Sequence, residues 1–263
     1  SHDALEVSTS PPLDKAGPSD SPNSVAAWKG MYSSVEEDTV ILPYSDRESV
    51  TLILREHKDE IAGVFYDAKR GLMDVSHDFT RFVSEITEEL DIPMVMDEVV
   101  TFRTGYSGAQ GLAGVEPDIT YFGKAFGGGL PVGVIGGKER FMDMIDNSRE
   151  PTWLSQSGTF SGNNFTLAAS LANLRALTPE VFEHFDSLGG RLHAGIAKAF
   201  DSASVPSQVL SEGAAVAYYL SDKPIRDYRS TVQYPNQELT GRVNMGLLLK
   251  GYSLRGGTQF TIS

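Results

Sequence analysis

The chain has 263 residues, 40% of them hydrophobic, enough for one large domain or one plus a small one, each with its own core. Its net charge of −13 and sequence pI of about 4.8 argue against a nucleic-acid or polyanion surface. The absence of cysteine excludes disulfides, thiol catalysis and cysteine-ligated zinc, and no apolar stretch approaches the ~20 residues that span a bilayer.

The chain opens at Ser1-His2-Asp3 and stops at residues 260–263 in what reads as a strand, so it is expected to be a segment of something longer. Residues 8–24, rich in Ser, Pro, Asp and Gly, read as a surface loop. A short apolar run follows at 40–44. The spacing then predicts a helix over 46–57, with Val50, Leu52, Ile53 and Leu54 partly buried, and a strand over 61–66. Phe79, Phe82, Val83, Ile86 and Leu90 recur at helical spacing, with Asp78 as the expected N-cap. A strand is expected at 93–99, a Gly-rich loop at 105–114, and strands near 119–122 and 132–136.

Beyond these, 138–146 reads as helical, and 164–177 is apolar and Ala-rich, as expected of a buried helix. Thr178-Pro179-Glu180 is a helix start, with the helix running to about 200. A strand at 214–220 and a helix at 243–249, stopped by Gly251, complete the pattern. The alternation predicts an α/β fold with a mainly parallel sheet. The change of style near 178–200 divides it into 1–177 and a smaller α/β unit, 178–263.

Two motifs carry chemistry. Asp97-Glu98-Val99 closes one apolar run, and Gly123-Lys124-Ala125 follows another, ahead of Gly127-Gly128-Gly129-Leu130-Pro131. An acidic residue ending one strand and a lysine following the next can meet at one edge of a parallel sheet, where α/β proteins place ligands. A lysine held against apolar neighbours can lose its proton and attack a carbonyl. A carboxylate facing it could hold a protonated pyridine nitrogen, the pairing used for pyridoxal phosphate. Taken alone, Asp97-Glu98-Val99 also reads as two solvated carboxylates at a strand end, and Lys124 as a surface lysine before a flexible turn. The apolar flanks and dense glycines count against the latter. A Walker loop is excluded because its glycines must precede the lysine and Ala125 stands where Ser or Thr is required. Ser157-Gly158-Thr159-Phe160-Ser161-Gly162-Asn163 precedes the helix at 164–177, and can donate to a phosphate or act as an ordinary cap. The five histidines show no metal spacing, and a triad of the adjacent Ser1-His2-Asp3 is given almost no weight.

The order Asp97-Glu98-Val99, Phe102-Arg103, Gly108-Ala109-Gln110, Pro117-Asp118, Gly123-Lys124, Gly127 to Pro131 and Gly158 to Asn163 resembles the class III aminotransferases of pyridoxal-phosphate fold type I. Within them it is similar to the branch of glutamate-1-semialdehyde 2,1-aminomutase and the β-amino-acid aminotransferases. A weaker match runs from Ser1 to the C-terminus. The resemblance implies amino-group transfer, as transaminase or aminomutase, on a small amino acid or amino aldehyde. Pyridoxal 5'-phosphate would be held as an aldimine on Lys124, which then carries the proton. It implies that Asp97 binds the pyridine nitrogen and Val99 packs on the ring. Thr159 would bind the phosphate from the neighbouring subunit of a homodimer, and Gly127–Gly129 with Gln156 and Ser157 would line the entrance. Arg103 suits a substrate carboxylate or a surface salt bridge equally. No nucleic acid or membrane partner is expected, and the expected location is the cytoplasm or an organelle matrix. The chain departs from the family in three places. The phosphate-binding turn and stacking aromatic would lie before Ser1, the last helix is missing, and Tyr66-Asp67 followed by Ala68-Lys69-Arg70 stands where many relatives carry Glu-Pro. The alternative is a truncated, non-catalytic homologue serving as a structural or dimerisation module.

Overall fold

The computed structural model describes residues 6–68, 72–74, 76–148, 153–254 and 258–262. Ser1-His2-Asp3 and Lys69-Arg70 lie outside them. The elements run α1 (Ser33–Glu37), α2 (Arg47–Glu56), β1 (Val64–Asp67), α3 (His77–Glu89), β2 (Met94–Asp97), α4 (Gly108–Ala113), β3 (Ile119–Gly123), β4 (Gly133–Gly137), α5 (Glu139–Met142), α6 (Asn164–Ala176), α7 (Pro179–Ser202), β5 (Gln208–Glu212), β6 (Ala215–Tyr219), α8 (Tyr228–Gln233), α9 (Gln237–Leu249) and β7 (Gln259–Thr261).

The first sheet has the order β1-β2-β3-β4. β1, β2 and β3 are parallel, and β4 returns antiparallel to β3. Alternation along the strands sends Val64, Tyr66, Met94 and Met96 to one side, onto Phe79, Val83 and Ile86 of α3. Those three side chains recur at i, i+4 and i+7, so one stripe of the helix is buried. Each contributes about 1.5–3 kcal/mol on burial. Val50 and Leu54 of α2 close the same core, whereas Leu52 is 63% exposed on the far side of the helix. Asp46 caps α2 by accepting from the Ser49 N–H. The cap of α3 is Ser76, which accepts from the Phe79 N–H. The expected cap, Asp78, lies in the first turn instead. There it faces the helix N-terminus, where a negative charge is also favourable.

The second sheet is antiparallel, in the order β5-β6-β7, and α7 packs along it. β6 is buried along its whole length, so it reads as a continuous apolar run. Phe200 of α7 meets Tyr218 of β6 at 5.1 Å between ring centroids. β5 and α8 escape a pattern reading because their sequences, Gln-Val-Leu-Ser-Glu and Tyr-Arg-Ser-Thr-Val-Gln, are short and half polar.

The two sheets lie on either side of residue 178. The N-terminal loop nonetheless packs on α8, where Arg229 donates to the carbonyls of Ala16, Gly17 and Pro18, and Tyr228 donates to that of Pro11. Two expectations fail in detail. The Gly-rich stretch 105–114 contains α4, a turn and a half of helix. α6 is largely exposed, with Phe165 at 81%, and among its described residues only Ser170 is buried. Among the described residues, no helix is long and apolar enough to cross a membrane.

Candidate active site

The carboxyl ends of β1, β2 and β3 form one edge. Parallel register aligns Asp67 with Asp97 and Asp97 with Tyr121, so the three side chains share a row on one sheet face. Asp97 Oδ1 accepts the Val99 N–H at 2.7 Å. The Tyr121 phenol stands beside Asp97 across the row. Burial pushes this phenol up, and the charges of Asp97 and Asp67 add to the shift. Tyr44, partly buried against the core, donates to the Asp67 carbonyl at 2.7 Å. Burial first, then the charge of Asp67, raises it well above an ordinary tyrosine.

Glu98 has a part that the sequence reading did not assign. It is fully buried, facing away from Asp97, because successive strand residues point to opposite faces. That alternation was the available signal: if Asp97 meets a ligand, Glu98 must enter the core. Its carboxylate accepts from the Thr101 hydroxyl, from the Ala109 N–H at 3.2 Å and from the Gln110 N–H at 2.8 Å. Gln110 in turn accepts from the Thr120 hydroxyl of β3 at 2.9 Å. Gly108 makes this approach possible: its φ is +69°, and a Cβ there would lie 2.5 Å from Glu98 Oε1. Burial pushes the Glu98 carboxyl up, against the lowering effect of its hydrogen bonds.

Lys124 begins a 3-10 turn (Lys124–Gly127) directly after β3. Its φ is +47°, a left-handed conformation costly for a side-chain-bearing residue and one that clusters at functional sites. It stands three residues beyond Tyr121, so its Cα lies about 10 Å along the strand from the Asp97 row. The segment following Asp97 reaches the same place, since a Cβ on Gly123 would touch the two Val99 γ-carbons at 3.5 and 3.7 Å. α6 buttresses the turn. Asn173 Nδ2 donates to the Ala125 carbonyl at 2.8 Å. Gly128, at φ +61°, admits the Ala169 carbonyl, which a Cβ would meet at 2.5 Å. Beneath it Phe102, Phe122 and Phe126 cluster at 5.4–5.9 Å. The expected apolar cover over Lys124 is not found: the residue is exposed, while the neighbouring Phe122 and Phe126 pack with Phe102.

Asp97, Val99 and Lys124 are therefore brought to one edge. Thr159 stands exposed in the turn before α6, together with Gln156 and Ser157. Arg103 is committed elsewhere. It donates to the Ile262 carbonyl and lies 5.2 Å from the Phe185 ring centre, joining the segment after Asp97 to the second sheet. Tyr106 adds an edge contact to Phe182 at 5.9 Å. Neither the substrate carboxylate nor the surface salt bridge considered for it is among these contacts, and burial lowers the guanidinium pKa. A cleft of about 540 Å³ lies at the opposite end of the strands, beside Met94 and Asp118. Its cations Lys138 and Arg140 are paired with Asp118, at 3.1 and 2.7 Å.

The donor set at the edge fits pyridoxal phosphate. Asp97 provides an anionic acceptor for a ring N–H, Val99 an apolar surface, and Lys124 a primary amine on a four-carbon stem. For the phosphate, the resemblance offers one hydroxyl of this chain, that of Thr159.

Residues 19–250 match the family model of the class-III aminotransferases. The chain is 37% identical over 203 residues to glutamate-1-semialdehyde 2,1-aminomutase 1 of Staphylococcus epidermidis, covering 76% of this chain and 47% of that protein. It is 36% identical over 205 residues to the aminomutase of Bacillus subtilis, with the same coverage. The chain thus spans about half the length of the curated relatives it matches. Among solved structures, an omega-transaminase from Sphaerobacter thermophilus superposes with a TM-score of 0.94 at 34% identity, covering 100% of this chain and 61% of that one. A β-phenylalanine aminotransferase from Variovorax paradoxus gives 0.75 at 27% identity, with 85% and 52% covered. The fold is the mixed α/β fold of these transferases, and the chain belongs to the class-III aminotransferases.

Proposed function

We propose that this chain carries the lysine-bearing half of a pyridoxal-phosphate-dependent enzyme. It would transfer an amino group on a small amino acid or amino aldehyde, as an aminotransferase or a 2,1-aminomutase. The observation that supports this is the shared edge of Asp97, Val99 and Lys124, set by register and by the strained turn after β3. When bound, the cofactor supplies an electron sink for the carbon that loses its proton. Asp97 accepts the ring N–H and keeps that nitrogen protonated. Val99 packs on the ring. Lys124 would hold the cofactor through its side-chain amine and, when that amine is free, would take and return the proton at the substrate α-carbon.

We infer further that the working unit is a homodimer with Thr159 binding phosphate across the interface. Trp153, Phe160, Phe165, Leu167 and Leu171 leave an exposed apolar surface around Thr159, larger than a monomer ordinarily tolerates. The contacts of Arg103 favour a packing role over a substrate role. We place the boundary between the cofactor-binding part and the smaller part at 177/178, between the two sheets.

The test is chemical. Purified protein incubated with pyridoxal phosphate, reduced with borohydride and digested should yield one cofactor-bearing peptide, with the label on Lys124. Lys124→Ala should retain its circular dichroism and lose both label and turnover. Equal labelling of the variant, or label spread over surface lysines, overturns the assignment.

A further inference from the structure

Asp97 is approached from two sides. From its own strand, the Val99 N–H reaches Oδ1 at 2.7 Å. From β3, Tyr121 stands in the same register row, which puts its phenol within reach of the carboxylate. Neighbouring strands lie about 4.8 Å apart, so a tyrosine in that row reaches a carboxylate in the next without leaving its strand. On the other flank the row continues to Asp67, a second carboxylate, with the Tyr44 phenol bonded to its carbonyl. A like charge on the adjacent strand raises the proton affinity of a carboxylate. Charge-assisted donation from a hydroxyl lowers it again and orients the acceptor.

We propose that Tyr121 is a positioning residue for Asp97: its phenol, donated across from β3, keeps the carboxylate ionised beside Asp67 and turned toward the ligand edge of the sheet. The burial and flanking charge that raise the Tyr121 phenol ensure that it remains a donor at neutral pH. A carboxylate accepts about four hydrogen bonds, so the two donors named leave capacity for a ring N–H. The role of that third donor rests on the amino-transfer reading above. The hold on Asp97 does not.

The experiment is a carbon-13 NMR titration of the full chain labelled at the aspartate carboxyl, with the Asp97 signal assigned by its loss in Asp97→Asn. Tyr121→Phe should raise the titration midpoint of Asp97 by about one pH unit, the loss of one hydrogen bond to a charged group. Fluorotyrosine at position 121 is nearly isosteric and a stronger donor, and it should move the midpoint down. This second replacement keeps the test decisive if the phenylalanine variant does not fold. A midpoint unmoved by either change overturns the proposal, because a merely structural tyrosine would leave it in place. The same samples are then given pyridoxal phosphate. A wild-type protein that takes no cofactor on Lys124 defeats the amino-transfer reading and leaves the titration result standing. In loaded protein, Tyr121→Phe should lower kcat with KM nearly unchanged.

Discussion

Asp97 and Glu98 are adjacent carboxylates with opposite fates, and strand alternation is the cause. Asp97, on the ligand face, is expected to act only as an anion. Asp97→Asn should therefore retain cofactor and lose about 10²–10³-fold in turnover, the scale of one lost electrostatic contact in a preorganised site. Stopped-flow turnover at saturating substrate checks this, and an unchanged rate would return Asp97 to a structural role. Glu98 is a stability residue with a defined pH signature. Its folded-state pKa is raised by burial above the ordinary 4.5. Below that value both folded and unfolded chains hold the proton, and Glu98 imposes no penalty. As pH rises through 4.5 toward the raised value, the unfolded chain ionises first, so folding loses stability. Glu98→Gln lacks this loss. Denaturant titrations of wild type and variant at a series of pH values should show the variant gaining relative stability with rising pH. A constant difference would mean that Glu98 does not titrate between the two states.

At the scale of elements, the turn bearing Lys124 depends on α6. Gly128→Ala would place a methyl group 2.5 Å from the Ala169 carbonyl, at a φ of +61°. The left-handed conformation alone costs about 1–2 kcal/mol for an alanine. The clash is with backbone, which cannot swing aside, so α6 must shift and pull Asn173 from the Ala125 carbonyl. The expected outcome is a loss of about 2–4 kcal/mol in chemical denaturation, together with weaker cofactor uptake. Retained uptake at full stability would show that the turn stands without α6. Legibility differs between such elements. The strands bearing Asp97 and Lys124 were visible as apolar runs ended by polar residues, and α3 as a helical stripe. α4 was taken for a loop because glycines at 105, 108, 111 and 114 mimic one. Buried Glu98 decides otherwise by accepting the first N–H groups of that helix.

At the scale of the molecule, the exposed apolar surface around α6 and the open position of Thr159 set the sharpest test. Thr159→Ala should weaken cofactor binding by about 1–2 kcal/mol, the loss of one hydrogen bond to a charged phosphate. If Thr159 serves the partner's lysine, mixing Lys124→Ala with Thr159→Ala subunits places both lesions in one site of each mixed dimer and leaves the other site whole. Activity should then reappear from two crippled proteins after subunit exchange. A mixture that exchanges and stays inactive would mean that Thr159 acts within its own subunit or binds no phosphate.

By itself the sequence determined the α/β class, the approximate place of most strands of the first sheet, and the family, because ordered motifs around Asp97, Lys124 and Thr159 encode chemistry at fixed spacing. The tertiary structure decided what spacing leaves open. The row of Asp67, Asp97 and Tyr121 depends on strand register, which brings together residues 30 and 24 positions apart. The same is true of Arg103, whose partners are Phe185 on α7 and Ile262 just after β7. A guanidinium reads identically in sequence whether it meets a substrate carboxylate or a backbone carbonyl. Only the tertiary contacts with α7 and the end of β7 tell which partner it meets.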